Sequence, residues 1–266
     1  MKIDAARILL TGATGGIGGA IAKALAERGA RLVVSGRRRD VLERLAAQLP
    51  AESVECVVAD LADPAQVDEL VAEAGAVDVL VANAALPASG PILDFTPEQI
   101  DRALAVNLRA PIALARALLP AMIERGSGHL VFMSSLAGKV APPGSALYSA
   151  TKFGLRGFAL ALREDLHGTG VGVTAIFPGF VREAGMFAET GVRLPRGVGT
   201  STPEQVARAV VAGIERGKVE IDVAPLPMRA GARIAAVAPS LVASVQRRLG
   251  SREIAQRVAR AQAHKR

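Results

Sequence analysis

Short runs of consecutive apolar residues alternate along this chain with longer segments whose apolar positions recur every three or four residues. The runs at 7–11, 31–35, 53–59, 78–82, 128–134, 171–177 and 219–223 read as strands. The segments at 17–28, 39–48, 64–74, 97–107, 109–125, 148–167 and 203–216 read as helices. Two helix starts carry one signature: Thr96-Pro97-Glu98-Gln99 and Thr202-Pro203-Glu204-Gln205 put Thr at the N-cap, Pro at N1 and Gln at N3. This alternation predicts an α/β fold, a doubly wound, seven-stranded parallel sheet with helices on both faces. Residues 183–201 are glycine-rich with little apolar periodicity and follow the sixth strand, so they read as a mobile lid, or else as a linker. The organisation expected is a domain at 1–225 and a helical tail at 226–266.

Composition narrows the class. With 266 residues the chain can bury a core without staples. Its one cysteine, Cys56, lies in an apolar strand run, fits a reducing compartment and reads as a small buried hydrophobe. No uninterrupted apolar run approaches the length of a membrane span, and Met1-Lys2-Ile3-Asp4 does not read as a signal peptide. A cytoplasmic location is expected.

The first strand, Arg7 to Thr11, runs into Gly12-Ala13-Thr14-Gly15-Gly16-Ile17-Gly18 and then a helix. Strand, glycine turn and helix make an entry for a dinucleotide. Gly12 would form the tight turn, Gly16 would let the backbone approach a pyrophosphate, and Gly18 would let the helix close on the strand. The helix start offers free amides to phosphate. Later, Tyr148-Ser149-Ala150-Thr151-Lys152 puts the chain's one tyrosine and a lysine four residues apart, on one helical face. A neighbouring ammonium favours the phenolate, and bringing a phenol from about 10 to neutrality takes roughly 4 kcal/mol. A tyrosine so tuned is a general acid or base. Ser135 ends an apolar strand thirteen residues earlier, where it either binds a substrate oxygen or caps a turn. Asn107 sits among apolar helical neighbours, so it is expected to be buried and to need partners.

In these residues the chain closely resembles the short-chain dehydrogenase/reductase family, from about Arg7 to Val223. Thr11-Gly12-x-x-x-Gly16-Ile17-Gly18 matches the family's cofactor motif, and Asn107, Ser135, Tyr148 and Lys152 match its catalytic tetrad in order. The resemblance implies a Rossmann-type fold. It also implies nicotinamide-cofactor contacts from Thr11, Gly12, Thr14, Gly16, Ile17, Gly18, Asp60, Leu61, Asn83, Tyr148, Lys152, Pro178 and Gly179, with Asp60 holding the adenine. Tyr148 would exchange a proton with a carbonyl or alcohol, Lys152 would lower its pKa and hold the nicotinamide ribose, and Ser135 would polarise the carbonyl. Asn107 would organise a water chain to Lys152. Two positions depart from the pattern. Ala85 replaces a glycine, which is mild unless the backbone there is left-handed. Glu183 stands where a threonine often contacts the nicotinamide amide, and adds a charge. By the same resemblance a homodimer or homotetramer forms through the helices around 97–125 and 148–167.

Cofactor choice is read from the second strand. Ser35-Gly36-Arg37-Arg38-Arg39 carries no acid for the ribose hydroxyls. Its arginines suit a 2′-phosphate instead. NADP(H) is expected over NAD(H), with Arg37 as principal contact and Ser35 as helper. The histidines lack metal-like spacing, so no metal site is expected. Three functions compete: a carbonyl reductase or alcohol dehydrogenase acting on a small, lipophilic molecule; an epimerase or lyase on the same cofactor; and a non-catalytic nucleotide sensor or scaffold, which the intact tetrad argues against.

Charge changes the picture at the end of the chain. The net charge is +7, yet residues 226–266 hold nine Lys/Arg against one Glu, so the remainder is near neutral. Ile234, Val237, Leu241, Val242, Val245 and Leu249 fall at helical spacing, Pro239 should restart the helix, and Ser251 could cap a last one. This basic amphipathic extension is expected to pack on the protein, over the substrate pocket or a second subunit. Contact with an anionic membrane surface, making the protein peripheral there, ranks second. Nucleic acid ranks last, because the tail has no aromatic residue to stack on bases.

Overall fold

The computed structural model describes residues 1–50, 54–192, 194, 198–248 and 251–265. Seven strands form one parallel sheet in the order β3-β2-β1-β4-β5-β6-β7. They are β1 (Arg7–Thr11), β2 (Arg31–Gly36), β3 (Val54–Val58), β4 (Val79–Ala82), β5 (Gly128–Met133), β6 (Val171–Pro178) and β7 (Glu220–Val223). The order reverses between β1 and β4, and in such sheets ligands lie beyond the carboxyl ends of the strands at that crevice. The central strands are buried along their whole length, which is why they read as unbroken apolar runs.

Helices α1 (Gly16–Ala26), α2 (Arg39–Ala46) and α7 (Pro203–Arg216) cover one face around Leu10, Val34, Val79, Val131 and Ile176. Helices α3 (Pro64–Ala74), α4 (Pro97–Leu104), α5 (Ala110–Glu124) and α6 (Ala146–Asp165) lie between these in the chain, and α3, α5 and α6 bury Leu9, Leu80, Leu130 and Phe132 on the other face. Each fully buried Leu or Ile is worth about 2 kcal/mol. Both edge strands carry charge that discourages further pairing. On β3, Glu55 meets Arg7 in a two-point pair at 2.7 Å. On β7, Asp222 and Glu220 meet Lys139 at 2.6 and 3.0 Å, and Glu220 also meets Arg156 at 2.6 Å. Both threonine capping boxes form as expected, each with its Gln returning to the N-cap amide.

Two differences from expectation bear on the site. The helices expected at 97–107 and 109–125 form one continuous rod, in which a π turn, Ala105–Arg109, joins α4 to α5. Pro111 supplies the reason. It has no N–H, and in a regular helix its ring would press on the carbonyl four residues back. The wider turn relieves that contact. The rod, Pro97–Glu124, is long and apolar enough by length and composition to cross a membrane, but here it packs on the sheet through Val106, Ala110, Leu114, Leu118 and Met122. The second difference is α6, which starts at Ala146 and so places Tyr148 in its first turn.

After β7 come α8 (Leu226–Val237), α9 (Pro239–Arg248) and α10 (Ser251–Gln262). Pro239 does restart the helix. Ala232 of α8 joins the core. Of the expected stripe, Val242 is half-buried, whereas Ile234, Val237, Leu241 and Val245 are exposed rather than packed over the substrate side. Contact with the protein falls to α10 instead: Ala259 and Gln262 are buried, and the Gln262 Nε2 donates to the Met186 carbonyl at 3.0 Å. Ser53, Leu249 and lid residues 193 and 195–197 lie outside the described residues.

Candidate active site

At the switch point the glycine turn takes the predicted form. Gly12 has φ +68°, the left-handed region that favours glycine, and a Cβ there would sit 2.7 Å from the Ala84 Cα. A Cβ on Gly18 would strike the Gly12 carbonyl, so the glycine is what lets α1 close on β1. Gly15 caps α1 without a side-chain bond, and no acid stands in the first turn. The first amides and the dipole of α1 therefore face an anion site with no competing carboxylate. This cradle fits a dinucleotide pyrophosphate. The segment after β6 lies over it, with Ala184 against Gly16 and Gly185 against Ile17.

Hydrogen bonds lock the two sides of the crevice together. The buried Thr11 hydroxyl accepts from the Asn83 and Ala84 amides at 3.1 and 3.2 Å. The Asn83 Nδ2 donates to the Thr11 and Gly12 carbonyls at 3.1 and 3.2 Å. Ala85 has no positive φ, so the missing glycine costs nothing there. Asn107, in the π turn, is fully buried: its Oδ1 accepts from the Leu86 amide at 2.6 Å and its Nδ2 donates to the Leu86 carbonyl at 3.0 Å. Both ends of the side chain are spent holding the loop after β4.

Ser134 and Ser135 divide two tasks at the end of β5. The Ser134 Oγ donates to the Lys152 carbonyl at 3.0 Å and fixes α6. Gly138 permits that approach, since a Cβ would lie 2.6 Å from the Ser134 Oγ. The Ser135 Oγ accepts from the Ala137 amide at 3.1 Å and donates its proton to the Pro178 carbonyl at 3.4 Å. Ser135 is thus a turn cap, and its hydroxyl stands near enough to Tyr148 to pull the phenol's pKa down. Gly179 follows, its amide on the Val223 carbonyl at 3.0 Å.

Lys152 is buried, with Nζ donating to the Met133 carbonyl at 2.8 Å and lying 5.7 Å from the centre of the Tyr148 ring. Burial lowers the ammonium to about 8. The phenol departs from expectation. Burial pushes Tyr148 up to about 12, against the opposing pull of Ser135. An ammonium about 6 Å away, at an effective dielectric near 20, is worth roughly 3 kcal/mol. That offsets the push but does not carry the phenol to neutrality.

At the adenosine end, Thr14 packs on Gly36, whose Cβ would lie 2.9 Å from the Thr14 Cγ2. Arg37 is exposed beside it, while Ser35 is buried within β2, so Arg37 is the one of the two that faces solvent. Leu61 is buried next to Asp60. Burial opposes ionisation of Asp60, but Arg102 at 2.7 Å, the Ala62 amide and the charge of Arg37 hold its carboxyl below the ordinary range. Sequence reasoning missed Arg102, because nothing local links it to a residue 42 positions away. His129 is structural: burial drives it down to about 4, and its Nε2 bonds the Thr174 Oγ1 at 2.8 Å. Burial likewise raises the half-buried Cys56 thiol.

On the substrate side, Glu183 has φ +71°, a left-handed angle that costs a non-glycine residue energy, and its carboxylate pairs with Arg182 at 2.7 Å. The Phe180 and Phe187 rings meet at a tilt of 51° with centroids 4.7 Å apart, and Met186, Phe187 and Leu194 are half-buried.

Residues 6–193 match the family model described as short chain dehydrogenase. The ketoacyl reductase HetN of a Nostoc species is 37% identical over 227 residues, 83% of this chain and 79% of that protein. A short-chain dehydrogenase from Sphingobium yanoikuyae, solved in complex with NADPH, superposes with a TM-score of 0.76 at 28% identity, covering 92% of this chain and 95% of the other. The 3-ketoacyl-(acyl-carrier-protein) reductase of Brucella melitensis, solved with NADH, gives 0.76 at 27% identity over 84% and 98%.

Proposed function

The chain belongs to the short-chain dehydrogenase/reductase family of oxidoreductases, and on that premise we propose that it is an NADP(H)-dependent carbonyl reductase with Tyr148 as proton donor. The observation that carries this reading is the buried Lys152 ammonium 5.7 Å from the centre of the Tyr148 ring, with Ser135 at the end of β5 beside them and the glycine cradle at the neighbouring strand ends. The bound cofactor supplies hydride to the carbonyl carbon. Ser135 holds the carbonyl oxygen against Tyr148, and Tyr148 gives that oxygen its proton. A phenol pushed up by burial is protonated at neutral pH, which favours the reductive direction. Lys152 steadies the charge that then develops on the tyrosine and binds the ribose. Asn107 positions the loop after β4 through Leu86, in place of the water chain expected of it.

The cofactor is held by the first amides of α1, by Thr14, by Asp60 and by Arg37, whose guanidinium meets a 2′-phosphate. The names of two relatives, a ketoacyl and a 3-ketoacyl reductase, support an acyl chain bearing a ketone as substrate. The apolar Met186 and Phe187 agree with a lipophilic one. Half-exposed Ile123 on α5 and Phe153 on α6 support assembly of two or four copies through those helices. Consumption of NADPH across ketoacyl thioesters, ketones, aldehydes and quinones, with Tyr148→Phe alongside, tests the reading. Turnover by the native protein that vanishes in the variant is expected; turnover that survives removes the tyrosine from the chemistry.

A further inference from the structure

The outward face of α8 and α9 has no role in the reaction just proposed. Leu226 is 74% exposed, Val237 85% and Leu241 58%, with Ile234 and Val245 also in the open. Positions 226, 230, 234 and 237 recur at the spacing of one face of α8, and 241 and 245 lie one turn apart on α9 beyond the break at Ala238, while Ala232 and Ala235 of α8 point inward. Single exposed apolar residues are ordinary, but a contiguous row marks an interaction surface. The same segment carries Arg229, Arg233, Arg247 and Arg248 and no acidic residue between Asp222 and Glu253. Arg233, Arg247 and Arg248 are exposed, and no carboxylate among the described residues pairs with them.

We propose that α8 and α9 dock the protein on an anionic lipid surface, the apolar row entering the headgroup boundary and the arginines meeting lipid phosphates. Charge selects this occupant. Two copies of an acid-free face with three exposed arginines repel each other across an isologous contact, whereas an anionic bilayer attracts both components of the face. The row contains no aromatic anchor, so docking is shallow and weakens as salt rises. A Cβ on Gly199 of the lid would lie 2.6 Å from the Cγ of Pro225, the residue that opens α8, which sets the start of α8 beside the lid. A lipophilic substrate would then enter from the bilayer; that consequence rests on the reductase reading, and the docking does not.

Sedimentation of the full-length protein with vesicles tests the proposal without reference to activity. Vesicles of phosphatidylcholine with phosphatidylserine are expected to carry the protein down at low salt and release it at high salt; pure phosphatidylcholine is expected to leave it in solution. Arg233→Ala with Arg247→Ala should weaken partitioning by about fivefold per arginine. Ile234→Glu, Val237→Glu and Leu241→Glu together should abolish it, while Leu93→Glu, at a still more exposed leucine off this face, should change nothing. Circular dichroism of each variant checks its fold. Equal sedimentation with both vesicle types would overturn the proposal, as would indifference to the arginine pair. So would binding to single-stranded nucleic acid in place of vesicles. A native protein that ignores vesicles but loses an oligomeric state in the triple Glu variant would assign the face to a second copy.

Discussion

The crevice between β1 and β4 and the lid that follows β6, with the last helix against it, are built differently. Around the crevice nearly every polar group is spent on another part of the chain: Thr11 on two amides, Asn83 on two carbonyls, Asn107 on both ends of Leu86, Ser134 on α6. Glycines stand where a single Cβ would collide with backbone. Beyond β6, a glutamate holds a left-handed angle, one isolated bridge joins Val181 to Ser201, and Gln262 ties α10 to the lid by one hydrogen bond. The difference teaches that the part performing a common chemistry is over-determined, whereas the part meeting a particular substrate is loosely tied and free to vary.

Breaking the rigid side should therefore cost most. Asn107→Ala leaves the Leu86 amide and carbonyl without partners, at about 2 kcal/mol each. Urea unfolding should show a loss of about 4 kcal/mol, and a loss under about 1 kcal/mol would mean that the clamp is dispensable. Lys152→Met probes the burial of charge. The folded lysine titrates near 8 against 10.5 unfolded, so between those values the unfolded chain binds more protons and stability rises with pH. Below about 8 the full penalty applies, roughly 3 kcal/mol. The variant should gain most on the native protein at pH 7, with the gap narrowing as pH rises from 8 to 10.5; a gap independent of pH would contradict the burial account.

The remaining two changes fall at the rim of the crevice and in the lid. Arg37→Ala should raise the KM for NADPH by about tenfold to a hundredfold and leave that for NADH unchanged, because a charge-assisted bond to the phosphate is lost. Equal effects on both cofactors would move the phosphate contact elsewhere. Glu183→Gly should raise stability by less than about 1 kcal/mol in thermal melts, the relieved angle being partly offset by glycine's chain entropy. A clear destabilisation would show that the Arg182 pair outweighs the angle.

The same contrast explains what the sequence made legible. Strand boundaries followed from burial on both faces, because a parallel sheet leaves no alternation to confuse the reading. Gly12, Gly18, Ser135, Tyr148 and Lys152 stood out as candidates because steric need or chemistry confines each position to very few residue types. Asn107 was correctly expected to be buried, but its π turn was not foreseen; Asn and Pro111 together mark a distortion without specifying its kind. The shift on Tyr148 went the other way from expectation because desolvation depends on neighbours brought in from distant elements. Arg102 on Asp60, and Lys139 and Arg156 on β7, were invisible for the same reason. The fate of the tail's apolar row was decided by which faces α10 and the core had already taken.

The most direct test of the central claim follows the label from NADPH deuterated at the transferring C4 position into the product of a ketoacyl substrate. The account predicts deuterium on the new carbinol carbon, and no transfer in a Tyr148→Phe variant that still binds the cofactor. Hydrogen from solvent on that carbon would point to epimerase or lyase chemistry, and transfer at an undiminished rate in the variant would contradict the role of Tyr148.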